Sequence, residues 1–244
     1  METMTTVYCA VWHKDEKRHD LIRAHRANLA RQTRPVKVIY VFDGGDPPPA
    51  DLDADLVCCS QNLSIYEAWN VALTVCRTPF VMNLNLDDRL APNAVEHMEA
   101  ELMAQQADLI GGDWKICFTQ EDTDRVQPVY SANTLPFLPA WPPEHGRETR
   151  LGSGSGDRGT YGPATLWRME VHTRIPRYPH RTVDGMRILS VSDAVFWHML
   201  KVLGMKLART PMIVGQYYSH PESQAEFRAA NEMEEIVKRN ISLI

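Results

Sequence analysis

Short apolar runs alternate with segments of helical periodicity from Thr6 to Cys117, and this alternation limits the chain to very few architectures. Thr6–Trp12 (TVYCAVW), Val36–Phe42 (VKVIYVF), Asp55–Ser60 (DLVCCS), Pro79–Leu84 (PFVMNL) and Leu109–Cys117 have strand composition. Between them, Lys17–Gln32 sets Leu21, Ile22, His25 and Leu29 at helical spacing. Ser64 and Glu67 form an S-x-x-E capping box that opens a helix with Ile65, Trp69, Leu73 and Cys76 on one face. Pro92 starts another, with Val95, Met98 and Leu102 at helical intervals. Parallel strands must be joined by crossover segments, so this order predicts an α/β fold with a mostly parallel sheet flanked by helices.

The texture changes after Cys117. Residues 118–162 are rich in proline, glycine and polar side chains and read as an insertion or mobile loop. Residues 163–244 resume regular patterning. Helices are expected at Thr165–Val171 and Ser192–Leu203, a strand at Met212–Tyr218, and a final amphipathic helix behind a Ser223–Glu226 capping box. At 244 residues the three segments fit one compact domain.

The formal charge of -5 argues against a nucleic-acid surface. The five cysteines form no CxxC pair or zinc-type cluster, as expected of buried thiols in a reducing cytoplasm. No signal-peptide order and no bilayer-length apolar stretch is visible, so a cytoplasmic chain without a transmembrane anchor is expected.

The segment most suggestive of chemistry is PFVMNLNLDDRLAP, where an apolar run delivers Asn85, Asp87 and Asp88 to the end of a strand. In open α/β sheets that edge is where ligands bind. Adjacent carboxylates repel unless a cation offsets them, and a divalent ion leaves coordination positions for phosphate oxygens. A solvated turn, with Asp88 capping the helix after Pro92, explains the same residues without chemistry.

Other motifs in chain order give this stretch a context. CAVWHKDEKR follows the first strand, VIYVFDGG ends the second, and SIYEAWNVAL opens a helix with asparagine at its middle. YGPATLWRMEVHTRIPRY and SDAVFWHMLKVLG follow later. Together they resemble the family 2 glycosyltransferases, which have the GT-A (Rossmann-like) fold, over about Thr6 to Tyr218. The resemblance implies a single GT-A domain, with residues 1–117 as the nucleotide-sugar-binding half and 163–244 as the acceptor side.

It further implies that Val11, Trp12 and His13 lie near the base, that Asp43 accepts hydrogen bonds from base or ribose, and that Asn70 lies under the donor. Asn85-Leu86-Asp87 occupies the DxD frame with asparagine at its first position. Asp87 is thereby the direct ligand of Mn²⁺ or Mg²⁺, with Asn85 and Asp88 orienting ribose and metal-bound waters. His220 is a further candidate ligand. Asp193 is the implied base of an inverting transfer from a nucleotide sugar, by default a UDP-sugar, to an acceptor hydroxyl. Asp184 is the substitute.

Trp69, Trp167 and Trp197 fit either core or stacking roles, and Arg168 is a candidate phosphate contact. Gly154–Gly159 matches G-x-G-x-x-G without the strand and helix that would make it a dinucleotide site, and reads as a lid or acceptor loop. The competing functions are a sugar-phosphate nucleotidyltransferase, whose glycine-rich first loop is missing here, and a non-catalytic nucleotide-sugar-binding module.

Overall fold

The computed structural model describes residues 2–11, 17–131, 165–218 and 226–242. In chain order the elements are β1 (Thr5–Val11), α1 (Arg18–Ala30), β2 (Val36–Phe42), β3 (Asp55–Cys58), α2 (Ile65–Val75), β4 (Phe80–Asn83), β5 (Arg89–Leu90) and α3 (Ala94–Ala104). Then follow β6 (Leu109–Cys117), α4 (Gln120–Asp124), β7 (Tyr130–Ser131), β8 (Thr165–Arg168) and a 3-10 turn at Met169–Thr173. The chain continues through β9 (Arg181–Thr182), α5 (Ser192–Val202), β10 (Leu207–Tyr218), α6 (Glu226–Arg239) and β11 (Ile241–Ser242).

The main sheet runs β3-β2-β1-β4-β8-β6-β10-β5, with β7 paired beside β10. β3, β2, β1 and β4 are mutually parallel, as are β6 and β10. β8 enters antiparallel between β4 and β6 and joins the two parallel groups. The expected α/β architecture is therefore present, and both halves of the chain contribute strands to one sheet.

Alternation along β1 sorts the core into two layers. Val7, Cys9 and Val11 join Ile22 and Leu29 of α1 and Val95, Met98 and Leu102 of α3 on one face. Tyr8 and Ala10 face the other way, toward Tyr66, Trp69 and Leu73 of α2 and Phe196 and Leu200 of α5. Successive strand side chains point to opposite faces, so helices are needed on both. The capping box of α2 forms as expected: the Ser64 hydroxyl accepts from the Glu67 N–H at 3.2 Å, and the Glu67 carboxylate accepts from the Ser64 N–H at 2.7 Å.

Two expectations are corrected. Thr165–Val171 is not a helix: Thr165, Leu166 and Trp167 are all buried in β8, where one face of a helix could not bury three consecutive side chains. Residues 118–131 are not structureless either, since α4 and β7 lie within them. Trp69, Trp167 and Trp197 are core residues in a cluster of rings around Tyr178, Trp167 and Trp197 edge-on to it and Trp69 tilted.

Buried histidines make this core acid-sensitive. Burial, helped by the Arg89 charge, lowers His25 to about 3, where its ring bonds the Tyr40 hydroxyl at 2.7 Å. Burial lowers His172, stacked on Phe196, to about 4. Each native ring binds fewer protons than its unfolded form, whose ordinary value is 6.5. The stability they contribute is complete above that value and is lost as pH falls toward 3–4. Urea titrations at pH 7.5 and 5.0 should differ by about 4 kcal/mol, roughly 2 from each ring. Equal stabilities at the two pH values would show that neither ring is held neutral.

Candidate functional site

The chain order places a topological switch at β1: β2 and β3 continue the sheet on one side, and β4 returns on the other. Loops leaving the carboxyl ends of diverging strands open a crevice there. Ala10 and Val11 at the end of β1, Val41 and Asp43 at the end of β2, and Leu63, Ser64, Ile65 and Ala68 at the start of α2 line a narrow notch of only about 10 Å³ there. Beyond β2 the chain turns through Gly44 and Gly45 with φ of 64° and 78°, a region that favours glycine. A Cβ on Gly44 would sit 2.5 Å from the Asn62 side chain. The turn returns Asp43 toward α2, where its carboxylate accepts the Leu63 N–H at 2.8 Å and is nearly buried.

The acidic turn lies across β1 from this crevice. β4 pairs with β1 up to Tyr8↔Asn83, and the Leu84 N–H donates to the Tyr8 carbonyl at 3.1 Å. Leu84 and Leu86 are buried on the α1/α3 side, while Asn85 and Asp87 alternate with them and are only partly buried. The carboxylates lie close enough to β1 that, after burial itself, Asp87 and Asp88 push up the Cys9 thiol.

The turn is held by residues that sequence reasoning missed. Arg89, with a side chain only 1% exposed, pairs with Asp124 of α4 at 2.7 Å and donates to the carbonyls of Leu86 and Asp88. Gln120 of α4 donates to the Asp87 carbonyl at 3.3 Å. From below, Asn28 of α1 donates to the Leu90 carbonyl at 2.8 Å and accepts its N–H at 2.9 Å. Gln32 grips Ala91 and Val95 in the same way. β5 packs so closely on β10 that a Cβ at Gly215 would meet the Arg89 carbonyl at 2.7 Å. The available signal was Asn28 falling on the same helical face as His25 and Leu29, where an asparagine needs a partner.

Asp88 is 1% exposed, and its carboxylate accepts the Tyr218 N–H at 3.0 Å, fastening the end of β10 to the acidic turn. Asn70, expected under the donor, turns its amide to Tyr178: Nδ2 donates to the carbonyl at 2.9 Å and Oδ1 accepts the N–H at 2.8 Å. Asp193 lies in the first turn of α5, partly buried, and accepts from the Tyr66 hydroxyl at 3.2 Å and the Ala194 N–H at 2.8 Å. Tyr66 belongs to the first turn of α2, whose start lines the crevice, so this bond links the two helix N-termini. Burial, with Asp193 as the next cause, keeps the Tyr66 phenol protonated and able to donate.

Asp184 pairs with Arg239 at 2.6 Å and accepts from Thr182, which together lower its carboxyl below the usual range. Arg168 is corrected as a phosphate contact: it pairs in register with Phe80 at the opposite end of β4 from the acidic turn. There its guanidinium lies 5.6 Å from the Phe80 ring centroid and bonds the Ala107 carbonyl. Trp12, His13, His220 and Gly154–Gly159 lie outside the described residues. Cavities of about 420 and 460 Å³ open on the α2/α5 side, but Asp43, Asn85 and Asp87 line neither, so volume does not mark the polar site.

The donor chemistry of the turn suits a hard divalent cation. Among the described residues no three His, Cys, Asp or Glu side chains form a closed metal cage. Mg²⁺-type ions commonly take one or two carboxylates and complete their shell with water and substrate phosphate. Asp87, with the Asn85 amide oxygen two residues away on the same side of the turn, is that type of open donor set.

No protein-family model matches the chain, and none of the curated proteins matches it in sequence. Solved structures do share its fold. S. aureus TarS 1-349 in complex with UDP-GlcNAc superposes with a TM-score of 0.61 at 15% identity, covering 99% of this chain and 68% of that one. The mannosyltransferase PcManGT from Pyrobaculum calidifontis, in complex with GDP-Man and Mn²⁺, gives 0.60 at 13% identity, covering 98% and 65%. A longer S. aureus TarS structure gives 0.59 at 14% identity, and the chain spans only 41% of it.

Proposed function

We propose that the chain is an inverting glycosyltransferase of the family 2 type that moves a sugar from a nucleoside diphosphate sugar to an acceptor hydroxyl with the help of Mn²⁺ or Mg²⁺. One observation carries this reading. Asp43, the Asn85–Asp87 oxygens and Asp193 with Tyr66 come from separate parts of the chain, yet all gather around the carboxyl edge of β1, β2 and β4. The shared fold supports it, because the similar proteins were solved with UDP-GlcNAc and with GDP-Man and Mn²⁺.

In this reading Val11 and the α2 start form the apolar wall for a nucleobase, joined by Trp12 and His13. Asp43 accepts hydrogen bonds from base or ribose. Asp87, with Asn85 and His220, holds the cation, and Asp88 keeps the end of β10 against the turn. Asn70 acts beneath the site by fixing the Tyr178 backbone. When bound, the ion offsets the charge on the departing diphosphate. Asp193, oriented by Tyr66, removes the acceptor proton as the hydroxyl oxygen attacks the anomeric carbon.

UDP-sugars are the expected donors. A melting panel of UDP-, GDP- and dTDP-sugars should show Mn²⁺-dependent stabilisation by a UDP-sugar. At 100 times the dissociation constant this amounts to about 2.7 kcal/mol, roughly 5–10 °C for a chain of this size. Slow UDP release from the same donor would report the chemistry. No shift with any nucleotide sugar, with or without Mn²⁺, overturns the proposal.

A further inference from the structure

The cavity of about 460 Å³ on the α5 side has a composition that the proposed transfer does not use. Ile175, Pro176, Met199, Val202 and Leu203 supply its apolar wall, with Arg174, Arg177 and His198 around them. Its lining segments, 174–177 and 198–203, contain no acidic residue, although the chain as a whole carries a formal charge of -5. Nearby Arg181 and Arg187 are offset by Glu67, and Arg239 by Asp184. Arg174, Arg177 and Lys201 are exposed and have no acidic partner among the described residues. Beside them Val202 and Leu203 are 71% and 41% exposed.

Exposed apolar side chains next to an apolar cavity, ringed by uncompensated cations, match a surface with anionic head groups over hydrocarbon. We propose that this face docks the protein on an anionic lipid bilayer. Arg174 and Arg177 meet the lipid phosphates, Val202 and Leu203 insert at the interface, and the cavity takes an acyl segment. The acidic balance of the rest of the chain favours this one orientation. Asp193 lies nine residues before Val202 on α5, so the candidate base stands about 14 Å away along the helix axis. The inference does not depend on the transferase reading.

Vesicle sedimentation tests it directly. Wild-type protein should partition onto vesicles of phosphatidylcholine with phosphatidylglycerol far better than onto phosphatidylcholine alone, and added salt should weaken the binding. Each basic residue near such a surface is worth roughly a fivefold change in partitioning, so the double variant Arg174→Glu/Arg177→Glu should lose at least about 25-fold. Val202→Asp should lose binding with its melting temperature unchanged, since the side chain is exposed. Equal binding to both vesicle types, or a double variant that partitions like wild type, overturns the proposal. So does displacement of the protein by millimolar inorganic phosphate, which would indicate a soluble anion. Indifference to vesicles combined with a dimer that Val202→Asp dissolves would assign the face to a second copy of the chain and overturn it as well.

Discussion

Asp193→Asn is expected to lower the transfer rate by roughly 10³-fold, the usual worth of a positioned general base, while donor affinity stays unchanged. The amide keeps the shape of the side chain and still accepts from Tyr66 and the Ala194 N–H, but it cannot take the acceptor proton. Initial rates together with a UDP titration separate the two effects. A variant that transfers at the wild-type rate would remove Asp193 from the chemistry. Asp184 would then be the next residue to test, although its ion pair with Arg239 and its exposed position suit it poorly to proton abstraction.

Asp87→Asn should abolish the Mn²⁺-dependent part of nucleotide affinity and reduce turnover by on the order of 10²–10³-fold, the equivalent of several kcal/mol. Binding of the nucleotide without metal should persist, because Asp43, Val11 and the start of α2 form a separate wall of the crevice. Isothermal titration of UDP with and without Mn²⁺ reads this difference. Asp88→Asn serves as the contrast. Its carboxylate receives the Tyr218 N–H through one oxygen, which the amide retains, so donor affinity, metal dependence and turnover should stay near wild type, whereas Asp88→Ala, which removes the acceptor, should lower the melting temperature. A metal dependence that survives Asp87→Asn would place the cation elsewhere.

The architecture was largely legible in the sequence because its signals are local. The Ser64–Glu67 box requires only a turn of helix, and the apolar runs at Val36–Phe42 and Leu109–Cys117 match the strands observed. Thr165–Val171 was misread because four to seven apolar and polar residues suit either period, and only the vacant slot between β4 and β6 decides in favour of a strand. The residues that steady the acidic turn escaped for a similar reason. Arg89 and Gln120 look like ordinary surface polar residues in the sequence, Asn28 on its apolar helix face needs a partner that the sequence does not name, and the partners lie 33 to 62 positions away, except for the carbonyls beside Arg89 itself. Asn70 was found through resemblance, but its grip on the Tyr178 backbone, 108 positions away, is visible only in the folded chain.

The antiparallel placement of β8 has a consequence for how the chain reaches this state. Synthesis delivers β1 to β4 first and β6 soon after, yet β4 and β6 do not pair with each other. Both edges stay open until Thr165–Arg168 emerges and joins Phe80–Met82 to Leu109–Gly111. Assembly must therefore wait for a late, four-residue keystone that closes two long loops at once, an ordering that slows folding and leaves a nascent chain with two unsatisfied strand edges to protect.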